Sequence, residues 1–168
     1  MRKGIISLII FALLLSTAFP ALALDVDNPG IIVYPPSGQG LKLLANYETK
    51  DDNVIFDFAL VNLSSSPRTV TFLTGQQFEI TITDMKGNEV YRFSDGKYFT
   101  QAIINRTIQP GGFLAWQDKW DMTDKAGQKV GPGEYKAVIT VLAVQEAVNA
   151  YKFDNSQFTA VIYFYLND

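Results

Sequence analysis

The chain has 168 residues, 48% of them hydrophobic and 13% aromatic, with a formal charge of −3 and neither Cys nor His. Without those two residue types there is no Ser/His or Cys/His nucleophile, no thiolate chemistry, no structural zinc and no disulfide. The mild acidity and the lack of a basic cluster argue against nucleic acid or an anionic membrane as partner.

Arg2 and Lys3 precede an almost unbroken apolar run from Ile5 to Phe19, which ends at the triplet Ala21, Leu22, Ala23. This is the pattern of a secretory signal peptide over residues 1–23, with cleavage after Ala23. The run is shorter than the ~20 apolar residues that span a bilayer. Cleavage takes the formal charge from −3 to −5, because Arg2 and Lys3 leave without any acid. The remaining 145 residues suit one domain held by apolar burial alone. The product is expected to be exported, to the cell envelope or beyond, with no membrane association after cleavage.

Residues 24–40 hold Pro29, Pro35 and Pro36 around Ile31, Ile32 and Val33, and read as an extended lead-in with at most an edge strand. The domain proper spans 41–168. Val54 to Asn62 alternates, placing Val54, Phe56, Phe58 and Leu60 on one face. Ser64, Ser65, Ser66 and Pro67 form a turn, and Thr69 to Leu73 returns with Val70 and Phe72 inward. Phe78 to Thr83 alternates most clearly, with Phe78, Ile80 and Ile82 against Glu79, Thr81 and Thr83. Asp84, Lys86, Gly87 and Asn88 close a hairpin onto Val90 to Phe93. Ile103 to Ile108, the turn Pro110-Gly111-Gly112 and a strand through Trp116 follow. Tyr135 to Val144 and Phe158 to Leu166 are apolar on both faces, as central strands or strands with a covered outer face are. Between them Val144, Ala147, Val148 and Tyr151 fall at helical spacing, predicting a short helix over Ala143 to Tyr151. The fold class is all-β, an immunoglobulin-like antiparallel sandwich with that one short helix before the last strand.

Candidate chemistry is sparse. Asp118, Asp121 and Asp124 cluster, but they alternate with Lys119 and Lys125 and read as a solvated hairpin. Asp25 to Gly30 begins like a calcium loop, yet Pro29 occupies a ligand position, and Asp51, Asp52 and Asn53 read as a turn. Asn62-Leu63-Ser64 and Asn105-Arg106-Thr107 fit the glycosylation sequon, a short pattern that arises by chance. Tyr163 and Tyr165 share a face of the last strand and form either a binding stripe or a surface covered by the short helix. Neither catalytic residues, metal ligands nor a cofactor are expected.

From Val61 to Asp121 the sequence resembles the family of the Bacillus intracellular proteinase inhibitor, the BsuPI domain. The resemblance is carried by Val61-Asn62, Thr71-Phe72, Gly75-Gln76-Gln77-Phe78, Asp84, Gly87 and Val90-Tyr91-Arg92-Phe93-Ser94. It continues through Lys97, Phe99-Thr100-Gln101-Ala102, Pro110-Gly111 and Trp120. Thr74 departs from the family's more usual Ser, and Gly112 from Glu. Farther on, Trp120, Asp124, Gly127, Val130, Gly133 and Tyr135 resemble the closing hairpin of immunoglobulin-like modules such as that of the flagellar hook-capping protein, with Trp120 and Tyr135 plugging the sandwich.

The first resemblance implies a non-enzymatic, protein-binding domain that inhibits a serine proteinase of the subtilisin type. A non-inhibitory adhesion or assembly module of the cell envelope is the alternative. A substrate-like inhibitor needs an exposed segment held at both ends. Ser94 to Gln101 and Ile103 to Gln109 meet that need, making Lys97 and Tyr98 the first candidate contact residues and Arg106 the second.

Overall fold

A computed structural model describes residues 40–145 and 158–167. The expected signal peptide and lead-in, through residue 39, and the 146–151 part of the expected helix lie outside the described residues. The described chain is all-β, an antiparallel sandwich of ten strands.

In chain order these are β1 (Leu41–Lys50), β2 (Asn53–Asn62), β3 (Arg68–Phe72), β4 (Phe78–Asp84) and β5 (Glu89–Arg92). They are followed by β6 (Ile104–Ile108), β7 (Phe113–Trp120), β8 (Gly133–Val141), β9 (Ala143–Gln145) and β10 (Thr159–Leu166). One sheet runs β1-β2-β7, the facing sheet β10-β8-β4-β5, and a smaller third sheet β6-β3-β9.

Period-two alternation accounts for the core. On β2, Val54, Phe56, Phe58 and Leu60 are buried, and on β4 so are Phe78, Ile80 and Ile82. These meet Tyr135, Ala137, Ile139 and Val141 of β8 and Ala160, Ile162 and Phe164 of β10 in one cluster. The opposite face of β4 is half-buried rather than fully wet.

β1 pairs with β2 over its whole length, from Leu41↔Asn62 to Lys50↔Asn53. Asp51 and Asp52 join them with φ of 51° and 57°. Two consecutive left-handed residues are the signature of a type I′ turn, so this acidic pair has a conformational explanation.

One correction concerns the C-terminal third. Ala143 to Gln145 are not helical: they form β9, which pairs with β3 through Phe72↔Ala143 and Val70↔Gln145. Ala143 is fully buried there, and core packing sets the conformation of these three residues. Of the two strands apolar on both faces, β8 is central, and β10 has β8 as its one sheet neighbour among the described residues.

The sandwich has two distinct ends. At one, Trp120, Tyr135 and Phe164 close the core, with Trp120–Tyr135 ring centroids 5.9 Å apart and Tyr135–Phe164 6.0 Å. The Trp120 indole nitrogen donates to the Thr123 carbonyl at 2.8 Å. At the other end Asn62 joins the sheets. Its buried side-chain amide donates to the carbonyls of Ile108 (2.9 Å) and Ser66 (2.8 Å). Its side-chain oxygen accepts from the Ser64 amide and hydroxyl, and its backbone bonds Gly111 and Gly112. A residue so used is structural, which removes the first sequon from consideration as a modification site.

Two hairpins share one chemistry. Asp84 Oδ1 accepts from the amides of Lys86 and Asn88, and Asp124 Oδ1 accepts from those of Ala126 and Gln128. Each is closed by a left-handed glycine, Gly87 or Gly127. Asp124 is thereby a turn former. Asp118, on β7, accepts instead from the Tyr91 hydroxyl at 2.7 Å, bridging the edges of the two large sheets.

Candidate functional site

The local order of the Phe72-to-Phe78 connection follows from its polar side chains. Thr74 Oγ1 accepts from the Gln76 amide at 3.2 Å. Gln76 Nε2 donates to the Phe78 carbonyl and to Glu79 Oε2, each at 3.1 Å. Gln77 Oε1 accepts from the Trp116 indole at 3.0 Å, and its carbonyl accepts from the Leu142 amide at 2.9 Å. A connection bonded at each of these points is a firm platform.

Against this platform lies the segment after β5. It leaves β5 through turns closed by Asp95 N to Arg92 O and Lys97 N to Ser94 O, both 3.1 Å, with Gly96 at φ 72°. The Ser94 amide donates to Glu79 Oε1 at 3.2 Å, so one carboxylate holds both the Gln76 loop and the start of this segment. Phe93 packs on Phe78 at 4.2 Å, and Phe99 lies 6.2 Å from Phe93, half-buried. The Gly75 amide then donates to the Thr100 carbonyl at 2.8 Å. The two stretches that carry the sequence resemblance, Gly75 to Phe78 and Phe99 to Ala102, therefore touch.

Between the anchors at Ser94 and Thr100 the chain projects. Tyr98 is 100% exposed. Lys97, also exposed, carries its ammonium nitrogen 3.3 Å from the centre of the Phe93 ring. Beyond the second anchor Ile103 is 72% exposed and leads directly into β6. Among the large apolar residues on the described surface, Tyr98 and Ile103 are the most exposed.

Arg106 lies on β6, opposite Val70 of β3. It is exposed although its register partner faces the core, and β6 ends its sheet among the described residues. The outer face beside it is polar, with Thr69–Thr107 and Thr71–Asn105 side-chain bonds of 3.0 and 2.8 Å.

An electrostatic brace flanks the segment. Glu89 pairs with Arg92 and with Lys125, and Lys125 also reaches Asp95 at 3.2 Å. The hydrogen bond from Arg92, then that from Lys125, holds the Glu89 carboxyl below the ordinary glutamate range. Burial, and secondarily the bond to Asp118, raises the Tyr91 phenol, which stays protonated as a donor.

At the opposite end Tyr47, Glu134, Tyr163, Phe164 and Tyr165 line a half-open depression of about 370 Å³. Tyr165 is 60% exposed there. The helix expected to cover this face falls outside the described residues beyond Gln145. Among the described residues no group of His, Cys, Asp or Glu is arranged to hold a metal ion.

Sequence reasoning picked out Lys97, Tyr98 and Arg106 but not the platform that fixes the first two. Its signal was present in Gly75, a glycine outside any hairpin turn. No curated protein matches the chain. The BsuPI family, described as intracellular proteinase inhibitor, matches residues 41–146, which include the platform, the projecting segment and β6. The match spans well over half of the chain, and the protein therefore belongs to the BsuPI family of intracellular proteinase inhibitors.

Proposed function

We propose that the protein is an exported inhibitor of a subtilisin-type serine proteinase, acting by binding and without catalysis of its own. Contact is made through the segment from Ser94 to Ile103 and the adjoining strand β6, with Lys97, Tyr98 and Arg106 as contact residues. Family membership supports the inhibitory role. The observation that carries the choice of segment is its anchoring on both sides of an exposed tip. Glu79 holds Ser94, Gly75 holds Thr100, and Tyr98 between them is bare. A pre-ordered segment avoids the conformational cost that a floppy loop would incur on binding.

Export is supported by Arg2, Lys3, the apolar run and the Ala21-Leu22-Ala23 triplet, and it would set this chain apart from the intracellular setting in the family's description. An adhesion or assembly module of the cell envelope is the competing reading. It draws on the immunoglobulin-like architecture alone, and architecture does not specify a task.

Titrating the purified protein into subtilisin-type, chymotrypsin-type and trypsin-type enzymes tests the proposal. Saturable inhibition of the subtilisin-type enzyme, with the inhibitor recovered intact, is expected. Full activity of every enzyme at large molar excess leaves the module reading as the better account.

A further inference from the structure

We infer that Tyr98 is the side chain presented to the primary specificity pocket of the target, and that the target's pocket is large and apolar rather than built to receive a basic residue. This rests on the proteinase-inhibitor reading above and adds to it the chemistry of the enzyme recognised.

Lys97 and Tyr98 are adjacent, and either could in principle lead into a pocket. They stand differently. The Lys97 ammonium sits 3.3 Å above the Phe93 ring, an arrangement in which the ring's negative face holds the cation. Inserting Lys97 into a trypsin-type pocket would first break that contact. Tyr98 gives up nothing: it is 100% exposed, and its ring has no neighbour to lose.

An exposed tyrosine alone means little, because scattered surface aromatics are ordinary. What distinguishes this one is the rigidity on either side. On its N-terminal side the Ser94–Lys97 turn is closed by a backbone bond of 3.1 Å. On its C-terminal side Phe99 packs on Phe93, and Thr100 is bonded to Gly75. The backbone flanking Tyr98 is thus fixed while the side chain itself is free. A Tyr ring has few rotatable bonds, so burying it in a partner gains large contact area for little lost freedom. Tyr is also among the residues that dominate binding energy when a partner pocket closes over them. A trypsin-type pocket, with its buried carboxylate, offers a phenol ring no counterpart, whereas an apolar slot does.

The test measures inhibition constants of the wild type, Tyr98→Ala, Tyr98→Arg and Lys97→Ala against a chymotrypsin-type, a subtilisin-type and a trypsin-type enzyme. Thermal unfolding first establishes that each variant is folded. The wild type is expected to prefer the enzymes with apolar pockets. Tyr98→Ala should weaken that inhibition by at least about tenfold, and by more than Lys97→Ala does. Tyr98→Arg should shift the preference toward the trypsin-type enzyme. A Tyr98→Ala variant within about tenfold of a potent wild type, or a Lys97→Ala variant that loses more, overturns the assignment and leaves the inhibitory function standing. A wild type that prefers the trypsin-type enzyme overturns it as well. A wild type that inhibits none of the three removes the functional reading and this inference with it.

Discussion

A methyl group placed on Gly75 would lie 2.4 Å from the hydroxyl oxygen of Thr100 and 3.2 Å from its amide nitrogen. The Gly75 amide meanwhile donates to the Thr100 carbonyl at 2.8 Å. Close backbone approach, rather than an unusual φ, is what requires glycine here. Gly75→Ala should therefore cost about 1–3 kcal/mol by overpacking and displace the projecting segment. Thr100→Ala in the same chain should recover part of the loss, since it removes the nearer clash. A double-mutant cycle by chemical denaturation measures this, and additive effects would contradict the contact.

Asn62 is fully buried and bonds four groups with its side chain. Asn62→Ala takes the side-chain donor from the Ile108 carbonyl and the acceptor from Ser64, whereas the Ser66 carbonyl keeps its bond from the Ser64 hydroxyl, and about 2–4 kcal/mol of stability should be lost. Equilibrium unfolding provides the check. A change below about 0.5 kcal/mol would mean that the junction between the sheets is held in some other way.

Ile80 lies in the centre of β4 with no exposed surface. Ile80→Ala should cost roughly 2–5 kcal/mol, the transfer loss plus the cavity it leaves. Glu79→Ala removes no core volume but frees both Gln76 and Ser94. Its signature should be faster amide exchange in the segment after β5 rather than a comparable fall in global stability.

Thr83 Oγ1 is buried without a hydrogen-bond partner, next to the register shift between Ile82 and Thr83 on β4. Thr83→Val keeps the branched shape and removes the stranded hydroxyl. It should leave stability unchanged or raise it by up to about 1 kcal/mol, and a clear loss on thermal unfolding would show that the hydroxyl has a partner in solution.

The Glu89 brace gives a pH dependence. Because Arg92, and secondarily Lys125, lower the folded-state pKa, the stabilisation is present above the ordinary glutamate value of 4.5 and is lost as pH falls through the lower folded value. The groups are substantially exposed, so the effect is modest and weakens with salt. The stability difference between the protein and Glu89→Gln should therefore shrink from about pH 7 to about pH 3. A difference that stays constant over that range would contradict the account.

What was legible in the sequence follows from these particulars. β4 could be read because Phe78, Ile80 and Ile82 alternate with polar residues and their branched shapes suit a strand. β1 was not singled out, since Leu41 to Lys50 is rich in Leu, Lys, Ala and Glu, residues that favour helices. Only its pairing with β2 makes it a strand. β9 is hard to read locally, because its three residues become a strand only through pairing with Val70 to Phe72. Lys97 and Tyr98 were found as an exposed pair between better-ordered stretches. Their difference was not visible, because the Phe93 ring that holds Lys97 is brought beneath it only by the turn at Gly96. The Gly75–Thr100 contact is likewise long-range, and no local periodicity encodes it.

The most direct test of the central claim is a hydrogen-exchange footprint of the protein with and without an active subtilisin-type proteinase. Binding through the pre-ordered segment predicts new protection of amides from Lys97 through Ile103 and along β6. It predicts no change at the Trp120 end or around Tyr163 and Tyr165. Protection confined to the Trp120 end or to β10, or no protection anywhere with the enzyme in excess, would contradict the account.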